Sequence, residues 1–472
     1  MEEAVLSRTR GAARFWATVR EAVRGSHQDF TEGPIGRAIL LLAIPMVMEM
    51  MMESVFAIAD IFWVSKLGAD SVATVGITES MLALIYAVAI GVSVSATAMV
   101  ARRIGEKNPE HAATAAVQAI ALGVALTIPI GITGALLAPK LLALMGGSPA
   151  LIATGWRYTT IMLGGNAVIL LLFLINAIFR GAGDAAIAMR VLWFANILNI
   201  VLGPCFIFGL GPFPKLGVTG AAVATTIGRG CGVLFQLWTL FRGRGRVVVT
   251  RRHLRLEPAV MLRLLRLSGN AIFQILIGTA SWIGLVRILS SFGSAALAGY
   301  TIGIRIIVFA LLPSWGMANA AATMVGQSLG ARKPERAERS VWIAGFYNMI
   351  FLGAVGLTFI LGAPILIRFF TSDAAVVPFG VACLRFVSYG FLFYAYGMVL
   401  TQAFNGAGDT WTPTWLNLFC FWLWEIPLAY VLAKVVGFGP RGVFIAITIA
   451  FSTLALASAA LFRRGRWKLK KV

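Results

Sequence analysis

The sequence predicts an all-α protein that crosses a membrane twelve times, and three observations carry that prediction. Of its 472 residues 59% are hydrophobic and only 12% charged, mean hydropathy is +0.86, and apolar runs long enough to span a bilayer recur along the chain. The formal net charge of +21 is gathered into alternate connections between those runs. The two halves also share segments in a single register, 225 residues apart.

Residues 1–36 contain Arg8, Arg10, Arg14, Arg20 and Arg24 but no apolar core of signal-peptide length. They read as a cytoplasmic tail, and VLSRTRGAARFWATVREAV within them fits either an interfacial helix with Phe15 and Trp16 toward lipid or a fraying tail helix. Span 1 (37–64) holds three acids and Pro45, which removes a backbone hydrogen bond and marks a candidate hinge. Span 2 (71–98) carries Glu79 and precedes Arg102, Arg103 and Lys107. Spans 3 (113–138) and 4 (152–179) follow, then span 5 (186–209) with Asn199 and span 6 (217–241) with Thr225. The connection 242–262, with Arg242, Arg244, Arg246, Arg251, Arg252 and Arg255, is basic. Spans 7 (263–290), 8 (295–326), 9 (340–367), 10 (377–404), 11 (411–436) and 12 (441–462) complete the set, with Arg287, Arg305 and Glu425 on spans 7, 8 and 11. Arg332, Lys333, Arg336, Arg339 and the tail 463–472 add to one side, while the opposite connections hold scattered charges such as Lys66, Lys140 and Lys215. This asymmetry predicts both termini in the cytoplasm.

The repeat places MVARRIGEKNPEHA (99–112) on MVGQSLGARKPERA (324–337) and FRGAGD (179–184) on FNGAGD (404–409). Gly68 falls on Gly293, and Ala138-Pro139 on Ala363-Pro364. Six spans per copy is an even number, so both copies enter the membrane in the same sense. Two parallel six-helix lobes follow, 37–241 and 263–462, joined by the linker 242–262 and related by an axis along the membrane normal, with a substrate cavity between or within them.

Acids in the hydrocarbon region are rare and usually face a bundle interior or an aqueous cavity. Glu49, Glu53 and Asp60 lie within about 40° of one another on span 1, so they share one helix face. Counting rise from the outer span ends puts Glu53, Glu79, Asn199 and Thr225 roughly 12 to 18 Å deep, with Asp60 nearer the outer face. Neighbouring carboxylates in a low dielectric cannot all ionise, so the cluster suits a proton carrier; its oxygens also suit Na⁺. In the second lobe, Arg305 and Glu425 are both roughly 15 Å deep, which predicts a buried structural ion pair. Trp282, Trp315, Trp411, Trp415, Trp422 and Trp424 give that lobe an aromatic surplus for belts, packing or stacking on flat cations.

Other function classes lack residues. Cys205, Cys231, Cys383 and Cys420 have no ligand spacing, and His27, His111 and His253 fall in hydrophilic connections, which excludes a zinc centre and a buried histidine relay. The positive charge reads as topology and not as a nucleic-acid site. A membrane-embedded lipid enzyme would need a nucleophile elbow or an acid–histidine pair, and neither is present.

With LAIPMVMEMMMESVFAIADIFWVSKLGA at the start, MVARRIGEKNPE after span 2 and FRGAGD before span 5, residues 36–462 resemble the multidrug and toxic compound extrusion family. The resemblance implies two six-helix bundles in a V, alternating access, a monomer, and extrusion of organic, often cationic or amphiphilic, compounds driven by inward H⁺ or Na⁺, with no other cofactor. In the branch that couples through its first lobe, the helix 1 aspartate maps to Asp60, the bending proline to Pro45, and the helix 6 threonine to Thr225 in GVTGAAVAT. The helix 5 pattern Asn-x-x-x-Asp maps to Asn199 and Gly203, so its second acid is missing. That gap favours H⁺ over Na⁺ bound at Asp60, Asn199 and Thr225, and leaves Glu53 or Glu79 to supply a carboxylate. A flippase for lipid-linked oligosaccharides, from a related family, is the alternative; it calls for a basic cavity, whereas the first lobe is acidic. Glu49 has no role legible in the sequence.

Overall fold

The computed structural model describes residues 15–26, 28–243 and 245–472; Arg8, Arg10, Arg14, His27 and Arg244, and with them most of the expected interfacial helix, lie outside the described residues. Residues 15–24 are helical, with Phe15 and Trp16 exposed. Among the described residues eleven helices are long and apolar enough to cross a membrane: α1 Ile35–Ser65, α2 Ala69–Gly105, α3 Pro109–Leu144, α4 Pro149–Ala182, α5 Ala185–Phe208, α6 Val218–Arg242, α7 Pro258–Ser290, α8 Ser294–Gly330, α9 Pro334–Phe370, α11 Trp411–Val435 and α12 Pro440–Arg463. The twelfth, α10, is Val377–Tyr389 followed by Phe391–Gly406, bent by 60° at Gly390. No strand occurs among the described residues.

Several helices outrun the apolar windows. Arg102 and Arg103 continue α2 to Gly105, and the next helix starts at Pro109, so the turn between them is short. Arginine is a good helix former, and hydropathy registers where water begins, not where helical hydrogen bonding stops. The chain is turned by Lys107 at φ +57°, then restarted by Asn108, whose Oδ1 accepts from the His111 amide at 3.1 Å, and by Pro109 in the first helical turn.

The second copy repeats these details. Arg332 takes φ +58° where Lys107 takes +57°, Gly293 takes +98° where Gly68 takes +99°, and the helical breaks at Gly165 and Gly390 are in register. Close approaches are reciprocal as well. A methyl added at Gly105 would collide with the carbonyl of Gln327 on α8, and one added at Gly330 with the carbonyl of Arg102 on α2. A methyl at Gly91 would lie 2.7 Å from the amide nitrogen of Ile272 on α7, and one at Gly316 would lie 2.8 Å from that of Val47 on α1. Each of these four contacts joins the two halves, and each has its mate 225 residues away, as a pseudo-twofold axis requires. They run from the middle of α2 and α8 to the end that carries the basic connections. Toward the other end, added methyls at Gly68, Gly76 and Gly293 would meet nothing within 4 Å.

Pro45 is buried within α1, which runs unbroken from Ile35 to Ser65. Apolar clusters fill each half, and a further one joins α1 to α8, α9 and α10 through Leu42, Met46, Met324, Val341 and Phe404.

Candidate functional site

Between the halves lies a cavity of about 210 Å³, walled by Met50 and Glu53 of α1, Tyr86 and Ile90 of α2, Phe173 and Arg180 of α4, Trp315 and Asn319 of α8, and Gln402 and Asn405 of α10. A second space of about 120 Å³ shares Ile90, Trp315, Gln402 and Asn405 with it and reaches Tyr394, Asn417 and Phe421 in the second half. Aromatic faces with a few polar groups are the usual lining of a small-molecule pocket.

The α1 acids have distinct surroundings. Glu49 is 0% exposed; its Oε1 accepts from Arg180 Nη1 at 2.6 Å and from Asn176 Nδ2 at 3.0 Å, and the Asn176 carbonyl accepts from Gln236 Nε2 at 2.7 Å. A carboxylate this deep persists only when paired and hydrogen-bonded, so Glu49 is part of a structural bridge from α1 to α4. One turn on, Glu53 accepts from Asn196 Nδ2 at 3.0 Å and from Arg229 Nη2 at 3.3 Å. Arg229, on α6, is 3% exposed; it also donates to Tyr86 Oη at 3.1 Å, and its guanidinium lies 5.4 Å from the Phe56 ring centroid and 5.8 Å from that of Phe173. Planarity and weak hydration let an arginine fill such an aromatic box. Asp60 makes no hydrogen bond or ion pair with a described residue, yet lies within electrostatic reach of Arg229, Glu79 and Tyr158.

The remaining sequence candidates fall into two groups. Asn199 Nδ2 donates to Thr225 Oγ1 at 3.0 Å, a pair satisfied between α5 and α6, and Gly203 one turn further has only Trp63 near it. Glu79 on α2 and Arg305 on α8 are both exposed and interact electrostatically across the cleft. The expected pair of Arg305 with Glu425 is therefore corrected: no ion pair joins them among the described residues, and Glu425 is buried in the second half near Tyr300, Tyr394 and Cys420. Counting rise gives depth but not the direction in which a side chain points. Residues Leu418–Glu425 are moreover wound as a π-helix, which displaces Glu425 from an α-helical azimuth.

Sequence reasoning missed Arg180, Arg229, Asn176 and Asn196. The signals were available: Arg180 sits inside the repeated FRGAGD segment, and Arg229 is a charged residue inside a span, four residues past Thr225. Among the described residues no group of three or more histidines, cysteines or acids is placed to hold a metal ion, and the four cysteines are free.

Comparison with known proteins adds a family-level observation. The MatE family model matches residues 45–205 and 271–431, one stretch in each copy of the repeat. A probable multidrug resistance protein NorM of Thermotoga maritima is 26% identical over 443 residues, 93% of this chain and 94% of its own. A Shewanella oneidensis protein described as an FAD transporter is 25% identical, covering 91% of this chain and 95% of its own. Among solved structures, a MOP superfamily transporter from Pyrococcus furiosus superposes with a TM-score of 0.87 at 29% identity, over 94% of this chain and 98% of that one; its description speaks of reversed binding-pocket polarity and a different function.

Proposed function

Since the chain belongs to the MatE family of multidrug efflux transporters, which are membrane transporters and not enzymes, we propose that it is a secondary exporter of organic, cationic or amphiphilic compounds, taking H⁺ inward in exchange by alternating access. The observation that carries this reading is the Glu53–Arg229–Tyr86 network on the cavity wall with the unpaired carboxyl of Asp60 beside it. Tyr86, Phe173 and Trp315 offer faces for flat substrates, a use in keeping with a relative described as an FAD transporter.

Arg229 favours H⁺ over Na⁺. It is a tethered cation already held by Glu53, so a metal cation arriving at Asp60 meets a positive charge nearby. Na⁺ also needs several oxygen ligands, and the Asn199–Thr225 pair satisfies itself while Gly203 brings no carboxylate. A proton needs only the Asp60 carboxyl. Exchange then follows because proton and substrate favour different states of the two halves.

In this reading the basic connections and both termini face the cytoplasm of a prokaryotic plasma membrane. The end where Gly105 and Gly330 cross is the cytoplasmic end, and the present conformation is outward-facing. Residues 37–241 and 263–462 act as the moving bodies, 242–262 as their linker, and α1 bends at Pro45 during the change. A single chain holds the whole cavity, so a monomer suffices. The flippase reading is not favoured, because Arg180 on the cavity wall and Arg229 beside Glu53 are each bound by a glutamate.

The test is ethidium efflux from proteoliposomes under separately imposed ΔpH and Na⁺ gradients. The expected result is ΔpH-driven efflux that Asp60→Asn abolishes. Efflux driven by Na⁺ alone would discard proton coupling, and full activity in Asp60→Asn would discard the role given to that residue.

A further inference from the structure

After the sixth helix of each half the chain turns on a glycine with φ +71°, Gly243 in one and Gly465 in the other, and sends a basic segment back over the helix ends. In the first half, the Asp184 carboxylate of the FRGAGD segment accepts from the Arg246 amide at 2.5 Å, and Val247 and Val249 enter the apolar core. In the second half, Asp409 of FNGAGD pairs with Lys470 Nζ at 3.2 Å, and Val472 packs into that same first-half core and over Gly408, where an added methyl would collide with it. The repeated aspartate thus clamps the basic segment that leaves its own half.

The second segment goes further than the first. Trp467 is fully buried, stacks on Phe462 with ring centroids 4.4 Å apart, and Lys468 Nζ meets Glu338 of α9 at 2.5 Å, all within the second half. Three residues later the chain is held by the opposite half: Arg102 of α2 donates to the Lys470 carbonyl, and Arg103 Nη2 donates to the Val472 carbonyl at 3.0 Å. Anchors in both halves therefore grip one short stretch, directly over the crossing of Gly105 with Gly330.

We infer that residues 466–472 are a latch that holds this end of the molecule closed, with Asp409 as its anchor on one half and Arg102 and Arg103 as its catch on the other. The inference rests on the alternating-access reading, since a latch has a purpose only if the halves part here. When they do, the two guanidinium–carbonyl bonds must break or the segment must leave Asp409. Losing one hydrogen bond to a charged group shifts such an equilibrium roughly tenfold.

The experiment measures the distance between spin labels at His111 of α3 and Glu335 of α9, exposed positions on the two halves at this end, in the full chain with its four cysteines replaced. Without substrate or ion gradient, the wild type should give mainly the short distance. Asp409→Asn, Lys470→Gln and deletion of 466–472 should each raise the proportion of long distances, by up to about fivefold for the single substitutions, which remove a half-exposed ion pair. Lys470→Gln, with its side chain 46% exposed, keeps the question open to refutation should the other two fail to fold. An unchanged distribution in Lys470→Gln overturns the latch, whether or not the other two variants fold. Because no transport is measured, failure of efflux in the wild type would count against the proposed function and not against this result.

Discussion

Arg229→Gln is the perturbation with the most informative consequences. It removes a guanidinium that is 3% exposed and 3.3 Å from Glu53, leaving Glu53 with one donor, Asn196, and leaving Asp60 without the nearby positive charge. At an effective dielectric constant of about 20 the Arg229–Glu53 attraction is ~5 kcal/mol, and breaking a buried pair from one side costs about 3 to 5 kcal/mol. Removing both charges costs much less, because no uncompensated ion remains. The assay is thermal unfolding of the purified protein in Na⁺ or K⁺ salts, for wild type, Arg229→Gln, Glu53→Gln and the double variant. Arg229→Gln should be the least stable, the double variant should recover most of the loss, and Na⁺ should selectively stabilise Arg229→Gln because the acids now lack their internal cation. Equal stabilisation of the wild type by Na⁺ would refute the exclusion argument, and a double variant no better than Arg229→Gln would refute the pairing itself.

Arg180→Ala should destabilise the protein by about 3 to 5 kcal/mol, since it strands the fully buried Glu49, whereas Glu49→Gln should cost about 1 to 3 kcal/mol; thermal unfolding compares them. Gly105→Ala should lengthen the His111–Glu335 distance and lower efflux, while Gly76→Ala, with open space around it, should change neither. Thr225→Val should cost about 1 kcal/mol of stability for the lost Asn199 bond and reduce ΔpH-driven efflux less than Asp60→Asn does; an equal reduction would put the pair on the proton path.

The twelve spans and the repeat were legible because a bilayer demands long apolar helices and because duplicated turns keep their glycines. The ends of α2 and α8 were not, since hydropathy falls at Arg102 and Gln327 while the helical bonding goes on to Gly105 and Gly330. Glu49 stayed opaque because its partner, Arg180, is 131 positions away, and only the packing of α1 on α4 brings them together. Arg229 shows a different failure: its charge within span 6 is plain in the sequence, but nothing there says that it neutralises an acid of span 1. The mistaken Arg305–Glu425 pairing arose from treating equal depth as proximity, which the facing of helices decides. The absence of an acid at Gly203, by contrast, was plain from the residue alone.

The reciprocal glycine contacts have a kinetic consequence. Gly105 lies under the carbonyl of Gln327 as Gly330 lies under that of Arg102, so a rotation about the pseudo-axis that loosens one contact loosens the other by the same amount. A half-released crossing, with one backbone apposed and its twin apart, would require the two helices to slide without rotating and would leave a carbonyl neither packed nor fully hydrated. In the proposed alternating-access cycle, opening at this end is then concerted, and a carrier with no stable halfway position would have no conformation in which both doors stand ajar and ions leak through.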